Sequence, residues 1–373
     1  MFQRILQLDW VLLGAIFLLA GIGVLALYSI SPDAASGNYA LRQLLFFIGG
    51  LLGCFLFASF DYTHIQRYST PLYFGMLLVL LSVLVWGRTV NGTEGWINLG
   101  FARFQPVEAA KPVLIIFLAS FISKKKSELG ELVRLTVSFV LSFILIGLVL
   151  KQPDLGSALV LTGIWGGMIL IAGMRLKHIA SLCIIAVIVT VTSWSFLAPY
   201  QRDRILTFIE PEIDPQGSGY NVIQATVAVG SGGIVGKGIG HGSQSQLNFL
   251  PEKHTDFIFS VIAEELGLAG SFLVLFLYGV ILYRLSVIAK VARDNFGFLM
   301  VVGIMIMLFI QIFVNIGMNI GLLPVTGIPL PFLSYGGSSL LSFLLSFGLV
   351  MSVYLKREHN TVLQVSLDKS MLS

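Results

Sequence analysis

The stretch WVLLGAIFLLAGIGVLALYSI, residues 10–30, contains no charged side chain and is long enough to cross the hydrocarbon core of a bilayer. The apolar core of a cleaved secretory signal has only about 7–15 residues, so we interpret this stretch as a retained anchor. Comparable apolar windows follow at 44–60, 71–87, 106–122, 132–150, 157–173, 179–198, 257–282, 298–323 and 332–355. The sequence therefore predicts an all-α integral membrane protein with about ten transmembrane helices, forming one polytopic domain over residues 1–373.

The composition supports a membrane protein and excludes several other classes. Hydrophobic residues make up 56% of the chain and charged residues 11%, whereas a soluble domain is about one quarter charged. The net charge of +4 comes from Lys and Arg residues between apolar windows, so nucleic acid is not an expected partner. Cys54 and Cys183 both lie inside apolar windows, which argues against a disulfide or a cysteine metal site.

The distribution of basic residues predicts the orientation. With the N-terminus in the cytoplasm, the outer connections carry few basic residues: Arg42, Arg88, Arg103 and Lys151. The inner connections carry many more: Arg67, Lys124, Lys125, Lys126, Arg175, Lys177, Arg284, Lys290, Arg293, Lys356 and Arg357. By the positive-inside rule both termini of this multi-pass protein are cytoplasmic.

The polar connection at residues 200–255 is then an extracytoplasmic loop before the eighth helix. Glycines at 236, 238, 240 and 242 resemble a phosphate-binding loop, but no strand precedes them and no Gly-Lys-Ser/Thr sequence follows. A flexible outer loop is the better interpretation. Residues 220–229 alternate polar and apolar side chains and predict a short amphipathic helix at the membrane interface.

The run LPEKHTDFIFSVIAEELG, residues 250–267, places Asp256 at the mouth of the eighth helix. An ionisable group at such a boundary is a functional candidate by default, and we take Asp256 as the candidate catalytic residue. It could also serve as the N-cap of that helix. His254 has no second His or Cys at ligand spacing, which disfavours zinc, while an oxygen-only divalent cation at Asp256 stays open.

Other ionisable residues are expected on the same outer face. Glu108 and Lys111, in RFQPVEAAK (103–111), share a helix face, and we favour a polar cavity over a pair that only positions the helix. Asp154 on its own is best explained as a helix cap. The candidate substrate-binding set is Glu108, Lys111, Asp154, Gln152, Arg103, Arg202, Arg204, Lys253, His254 and Thr255.

Three further groups of polar residues have simpler explanations. Gln311, Asn315 and Asn319 recur every four residues, and interhelical hydrogen bonding is favoured over substrate contact. Of Glu264 and Glu265, one is predicted to face the cavity and the other to pair with a neighbouring helix or backbone. The serines in PFLSYGGSS, residues 331–339, lack a Gly-x-Ser-x-Gly context, so a serine hydrolase is disfavoured.

Five motifs in order carry a resemblance to a known family. QLNFLPEKHTDFIFSVIAEELG (246–267), RFQPVEAAK (103–111), KQPDLGSALV (151–160), QRDRILTFIEPEIDPQGSGYN (201–221) and GLLPVTGIPLPFLSYGGSS (321–339) are similar to those of the SEDS family of bacterial envelope proteins. The wording of the first and last motifs resembles elongation-type members more than division-type members. Division-type and sporulation-type polymerases remain alternatives.

The resemblance implies a ten-helix peptidoglycan glycosyltransferase that polymerises lipid II into undecaprenyl-linked glycan on the outer face of the membrane. It also implies a class B penicillin-binding protein as transpeptidase partner, within the elongation machinery. By the same resemblance, Asp256 is the essential carboxylate, and Glu108, Lys111 and Asp154 support the cavity.

The chemistry of lipid II fits a single carboxylate. Its α-linked sugar diphosphate becomes a β-1,4 linkage, so the reaction inverts the anomeric carbon and needs one base on the incoming hydroxyl. The diphosphate leaves as an anion, so no second carboxylic acid is required. A flippase would instead place ionisable residues near the bilayer midplane. A non-catalytic scaffold would leave Asp256 without a task.

Overall fold

The computed structural model describes residues 7–31, 38–90, 93–98, 100, 103–124, 131–173, 218–247 and 249–371. The predicted span 179–198, the candidate substrate-binding residues Arg202 and Arg204, and Cys183 lie outside these ranges.

Most of the described chain is helical, which confirms the predicted fold class. The helices are α1 Trp10–Ser29, α2 Tyr39–Ser59, α3 Tyr62–Trp86, α4 Pro106–Ser123, α5 Glu131–Lys151, α6 Leu155–Ile171, α7 Ser218–Ser231, α8 Ser243–Gln246, α9 Ile258–Lys290, α10 Asn295–Asn319 and α11 Gly337–Met371. Within the described ranges, eight of these are long and apolar enough to cross a membrane, namely α1 to α5 and α9 to α11. The apolar helix α6 is shorter, at 17 residues.

The start of the last predicted span is wrong. The prediction began this span at residue 332, whereas α11 begins at Gly337. Residues 330–335 form a turn instead, because the Ser334 hydroxyl accepts the Leu330 N–H at 2.8 Å and donates to the Thr255 carbonyl at 2.5 Å. A hydroxyl that bonds to local backbone groups competes with helix formation. An apolar window alone does not reveal this competition.

A small antiparallel sheet is the element that hydropathy missed. Strands β1 Arg88–Val90, β2 Thr93–Asn98 and β3 Arg103–Phe104 pair in the order β1-β2-β3 between α3 and α4. Asn98 is opposite Arg103 in the second pairing. The sheet connects directly to the start of α4, and so it fixes where that helix begins.

The glycine-rich segment is a compact structure docked on α9, not the flexible loop that was predicted. Gly267 has φ +66° and interrupts α9. The Leu268 and Ala269 N–H groups donate to the carbonyls of Gly233 and Ile234, at 2.9 and 3.1 Å. A Cβ on Gly236 would lie 2.1 Å from the Glu265 carbonyl oxygen. Glycine is required here because two backbones touch, and the hydrogen bonds satisfy groups that the helix break exposes.

The predicted helix at residues 220–229 is confirmed as α7, which packs against α9 and α10. The opposite end of the bundle is held by ion pairs. Asp9 binds Arg284, and Asp61 binds Lys356. These pairs connect α1 to α9 and α3 to α11 at the end of the bundle opposite to Asp256.

Candidate active site

Asp256 lies in a turn that precedes α9, and it is not the N-cap of that helix. The N-cap is Phe257, which makes no side-chain capping bond. The Asp256 N–H donates to the Glu252 carbonyl at 3.1 Å, as does the Thr255 N–H. Glu252 itself has φ +49°, which tightens the turn. We refer to residues 252–257 as the Asp256 turn; the capping prediction is wrong because this turn separates the carboxylate from the first helical residues.

Two asparagines of α10 hold the backbone of Asp256. The side-chain amides of Asn315 and Asn319 both donate to its carbonyl oxygen, each at 3.0 Å. The Asn319 side-chain oxygen accepts the N–H and hydroxyl of Ser260, at 3.1 and 2.6 Å. Both asparagines are fully buried. The prediction of interhelical hydrogen bonding is confirmed for these two residues, and their target is the candidate catalytic residue.

A second segment closes over the Asp256 turn. The Asn315 amide also donates to the Ile328 carbonyl at 2.7 Å. The Tyr335 N–H donates to the His254 carbonyl at 2.8 Å. A Cβ on Gly327 would lie 3.6 Å from a carboxylate oxygen of Asp256. The carboxylate therefore faces a glycine, and residues 326–335 form one wall around it.

The start of α6 meets the same wall. A Cβ on Gly156 would lie 2.5 Å from the Thr326 carbonyl oxygen. Asp154 caps α6, because its carboxylate accepts the Ser157 N–H at 2.9 Å, which confirms the predicted cap. Its other oxygen accepts the Gln105 amide at 3.3 Å. This contact connects the start of α6 to the start of α4.

Glu108 and Lys111 form a buried ion pair on α4. The Lys111 ammonium donates to a Glu108 carboxylate oxygen at 2.6 Å, and the two side chains are 1% and 3% exposed. The second Glu108 oxygen is buried without a hydrogen-bond partner among the described residues. The Ser342 hydroxyl of α11 donates to the Glu108 carbonyl at 2.6 Å. The predicted shared face is confirmed, and the unpartnered oxygen leaves a place for water or a polar ligand group.

Lys253 and His254 lie on the same side of the Asp256 turn. The Lys253 ammonium donates to the Ser245 carbonyl of α8, so this side chain is tied to a neighbouring segment. Burial lowers the pKa of Lys253, and the nearby charge of Glu265 opposes that shift. Burial also lowers the pKa of His254 and so favours its neutral form. The His254 ring stacks on Tyr39 at 4.6 Å.

The other predicted substrate-binding residues are placed differently. Gln152 is buried, and its amide donates to the Leu80 carbonyl at 3.0 Å, which ties α3 to the turn between α5 and α6. Arg103 lies exposed on β3. The Thr255 hydroxyl bonds to Glu252 within the turn. Substrate contact by these residues stays a prediction.

The described residues contain no group of three or more His, Cys, Asp or Glu side chains arranged to hold a metal ion. A divalent cation at Asp256 stays a prediction.

Comparison with known proteins identifies the family. Residues 9–359 match the family model for FtsW, RodA and SpoVE, whose description is "Cell cycle protein". The chain belongs to the FtsW/RodA/SpoVE family. Peptidoglycan glycosyltransferase MrdB of Escherichia coli K12 is 42% identical to this family member over 296 residues, which cover 79% of each protein. The resemblance to SEDS proteins is thereby confirmed.

Solved structures agree with this assignment. A chain in the structure called "Structural coordination of polymerization and crosslinking by a peptidoglycan synthase complex" has a TM-score of 0.81 and 36% identity, over 94% of this chain and 98% of that one. The rod shape determining protein RodA of Thermus thermophilus has a TM-score of 0.70 and 31% identity, with coverage of 94% and 97%. The probable peptidoglycan glycosyltransferase FtsW of Trichlorobacter lovleyi and stage V sporulation protein E of Bacillus subtilis are 38% and 40% identical to this FtsW/RodA/SpoVE protein.

The sequence of this FtsW/RodA/SpoVE protein did not reveal that Glu264 and Glu265 each bind another segment of the chain. Both carboxylates, rather than one, bind neighbouring segments. Glu264 accepts the Lys237 ammonium at 2.7 Å, and Glu265 accepts the Ser29 hydroxyl at 2.9 Å. The sequence shows the two adjacent carboxylates and the glycine series 230–242. It does not show that these two segments contact each other, because the contact depends on the break in α9.

Replacing Asn319 by Leu should destabilise the protein and lower glycan polymerisation, because the Asp256 carbonyl loses a donor and the Ser260 groups lose their acceptor. Leaving buried polar groups unpaired costs about 1–3 kcal/mol. The matched variant is Gln311→Leu, two turns earlier on α10. Gln311 is fully buried, and neither polar atom of its amide has a partner among the described residues. Thermal unfolding in detergent should show a lower midpoint for Asn319→Leu and an unchanged or higher one for Gln311→Leu; the reverse order would contradict this account of the α10 amides.

Proposed function

We propose that this chain is a peptidoglycan glycosyltransferase that polymerises lipid II into undecaprenyl-linked glycan, with Asp256 as the general base. The observation that carries the proposal is the way Asp256 is held. Its backbone carbonyl is bound by Asn315 and Asn319, while its carboxylate is directed toward Gly327 at one end of a membrane-spanning bundle. A base must be held in position to act on a hydroxyl, and here α10 holds the residue through its backbone.

The reaction needs one carboxylate. Asp256 accepts the proton of the sugar hydroxyl as its oxygen attacks the anomeric carbon, and the bond from that carbon to the diphosphate breaks. The diphosphate leaves as an anion and is stabilised by positive charge. Among the described cations of the site, Lys253 lies in the Asp256 turn and is half-buried, whereas Lys111 is fully buried on Glu108. We therefore assign the leaving diphosphate to Lys253 and the support of α4 to Lys111.

A membrane-embedded site suits this substrate. General-base assistance contributes about 10²–10⁴-fold to a rate, so alignment of two lipid-linked chains must supply much of the rest. Lipid anchors confine both chains to the bilayer plane. We place the Asp256 end of the bundle on the outer face of the cytoplasmic membrane, with both termini in the cytoplasm, because basic residues are concentrated in the connections at the opposite end.

The proposed partner is a class B penicillin-binding protein. A solved relative belongs to a peptidoglycan synthase complex that coordinates polymerization and crosslinking. In our proposal the partner supplies transpeptidation and shifts the population of active conformations, without adding a group to the polymerisation site. The proposal assigns the complex to cell elongation, which the wording of the 246–267 and 321–339 motifs supports, with a division-type or sporulation-type polymerase as the alternative.

The test uses the purified chain, alone and with its partner, in detergent with lipid II. We expect glycan strands on a gel in the presence of the partner and fewer strands from the chain alone. A flippase would form no polymer, but it would move fluorescent lipid II across vesicle membranes. Absence of polymer from the folded complex, together with transport in vesicles, would overturn the proposal.

A further inference from the structure

Two adjacent carboxylates of α9 are buried where a membrane-spanning helix has few reasons to hold charge. Glu264 is 0% exposed and Glu265 is 2% exposed. Burial of an ionised carboxylate is expensive unless cations and hydrogen-bond donors compensate it. We therefore expect these two carboxylates to have a functional role in addition to packing.

Glu264 anchors the short helix α8. One carboxylate oxygen accepts the Gln244 N–H at 3.0 Å and the Lys237 ammonium at 2.7 Å. The other oxygen accepts the Ser245 N–H at 3.0 Å. These N–H groups lie in the first turn of α8, where no intrahelical acceptor exists for them. Because α8 has no side-chain cap of its own, Glu264 supplies the cap from α9.

The same short helix holds Lys253. The Ser245 carbonyl accepts a hydrogen bond from the Lys253 ammonium. The backbone of Ser245 thus binds both side chains: its N–H donates to Glu264, and its carbonyl accepts from Lys253. Burial lowers the pKa of Lys253 while the charge of Glu265 opposes that shift, so this neighbour of Glu264 also favours the charged ammonium.

Lys253 faces a space that can admit a ligand. A cleft of about 450 Å³ is lined by Lys253, His254 and Tyr39, by the apolar Ile30 and Leu250, and by the carboxylate residue Glu252. The His254 ring stacks on Tyr39, and burial favours its neutral form, so Lys253 carries the positive charge of this wall beside the Glu252 carboxylate. Lys253 is also three residues from Asp256 within the same turn.

We propose that Glu264 is a positioning residue which, through Ser245 of α8, orients the ammonium of Lys253 toward the diphosphate of the lipid-linked substrate. This inference rests on the proposed function, because the diphosphate is the leaving group of that reaction. It gives a reason for the buried charge on α9, and it makes α8 part of the substrate-binding apparatus.

The experiment measures two quantities in the intact complex with its partner. The first is the rate at which the Lys253 amine reacts with acetic anhydride, quantified by mass spectrometry against the exposed Lys151. Glu264→Gln replaces one carboxylate oxygen by an NH₂ group that cannot accept, so we expect Lys253 to lose its fixed position and to be acetylated several-fold faster. The matched variant Ser243→Ala removes the 3.3 Å hydroxyl contact to Glu264 and keeps the Lys237 ion pair and both α8 N–H bonds, so it should leave Lys253 acetylation near the wild-type rate.

The second quantity is kcat/KM for lipid II in a double-mutant cycle. Glu264→Gln and Lys253→Gln should each lower it by roughly tenfold, the loss expected for one hydrogen bond to a charged group. Because Glu264 acts through Lys253, the double variant should be no worse than Lys253→Gln alone. A purely structural role would make the two losses multiply. If Glu264→Gln is not recovered folded, Glu264→Asp, whose shorter carboxylate cannot reach both α8 N–H groups, undergoes the same measurements with the same expected directions.

The outcomes separate this inference from the proposed function. Multiplicative losses, unchanged Lys253 acetylation in Glu264→Gln, or faster acetylation with unchanged kcat/KM would each overturn the positioning role. None of these results affects Asp256 as the base. The proposed function fails instead if Asp256→Asn retains polymerisation, whatever Glu264 does.

Discussion

Asp256→Asn should abolish glycan polymerisation while leaving the protein folded. The side-chain amide has no basic site in the working pH range, so the general-base contribution is lost and the rate should fall by about 100-fold or more. The fold should survive, because Asn315 and Asn319 bind the Asp256 carbonyl rather than its carboxylate. Size-exclusion chromatography of the variant with its partner and a lipid II polymerisation assay measure the two effects separately.

The matched control for this variant is Glu252→Gln. Glu252 is an exposed carboxylate of the same turn. Glu252→Gln removes an equal negative charge at nearly the same place without removing a base, so the rate should not show the fall of about 100-fold expected for Asp256→Asn. Near-normal turnover by the intact Asp256→Asn complex would remove Asp256 from the mechanism and favour the scaffold or flippase interpretation.

Lys111→Glu should cause the second large loss, in both stability and polymerisation. It places two carboxylates three residues apart on α4, at a position where the present pair is almost fully buried. Removing one partner of a buried ion pair costs about 3–5 kcal/mol, and a second negative charge adds repulsion. The matched variant Lys151→Glu reverses an exposed charge at the end of α5 and should change stability by about 0.5 kcal/mol or less.

A charge-swapped double variant, Glu108→Lys with Lys111→Glu, then separates two roles of the pair. If the pair supports only the start of α4, the swap should recover thermal stability and much of the polymerisation rate together. If Lys111 contacts the diphosphate, the swap should recover stability alone. Wild-type stability and activity in the single variant Lys111→Glu would show that the buried pair has neither role.

Some features of the protein follow from local sequence alone. The apolar windows identify the membrane-spanning helices, because about 20 apolar residues have no other favourable location than a bilayer. Pro106 and Asp154 mark the starts of α4 and α6, since their effects act within one helical turn. The i, i+3 spacing brings Glu108 and Lys111 together through helix geometry alone. The motifs also identify the family, because each of them is a continuous run of residues in the chain.

Other features exist only because distant segments meet. Asp256 is held by α10, the wall at residues 326–335 comes from the segment after α10, and Asp154 joins through Gln105. No periodicity specifies such contacts, since their energy depends on where two helices end relative to each other. The same holds for α8, whose cap is Glu264 on another helix. Sequence thus determined which charged residues lie near this end of the bundle. Tertiary packing decided which of these residues form buried ion pairs, which bind backbone groups of other segments, and which face the space proposed for the substrate.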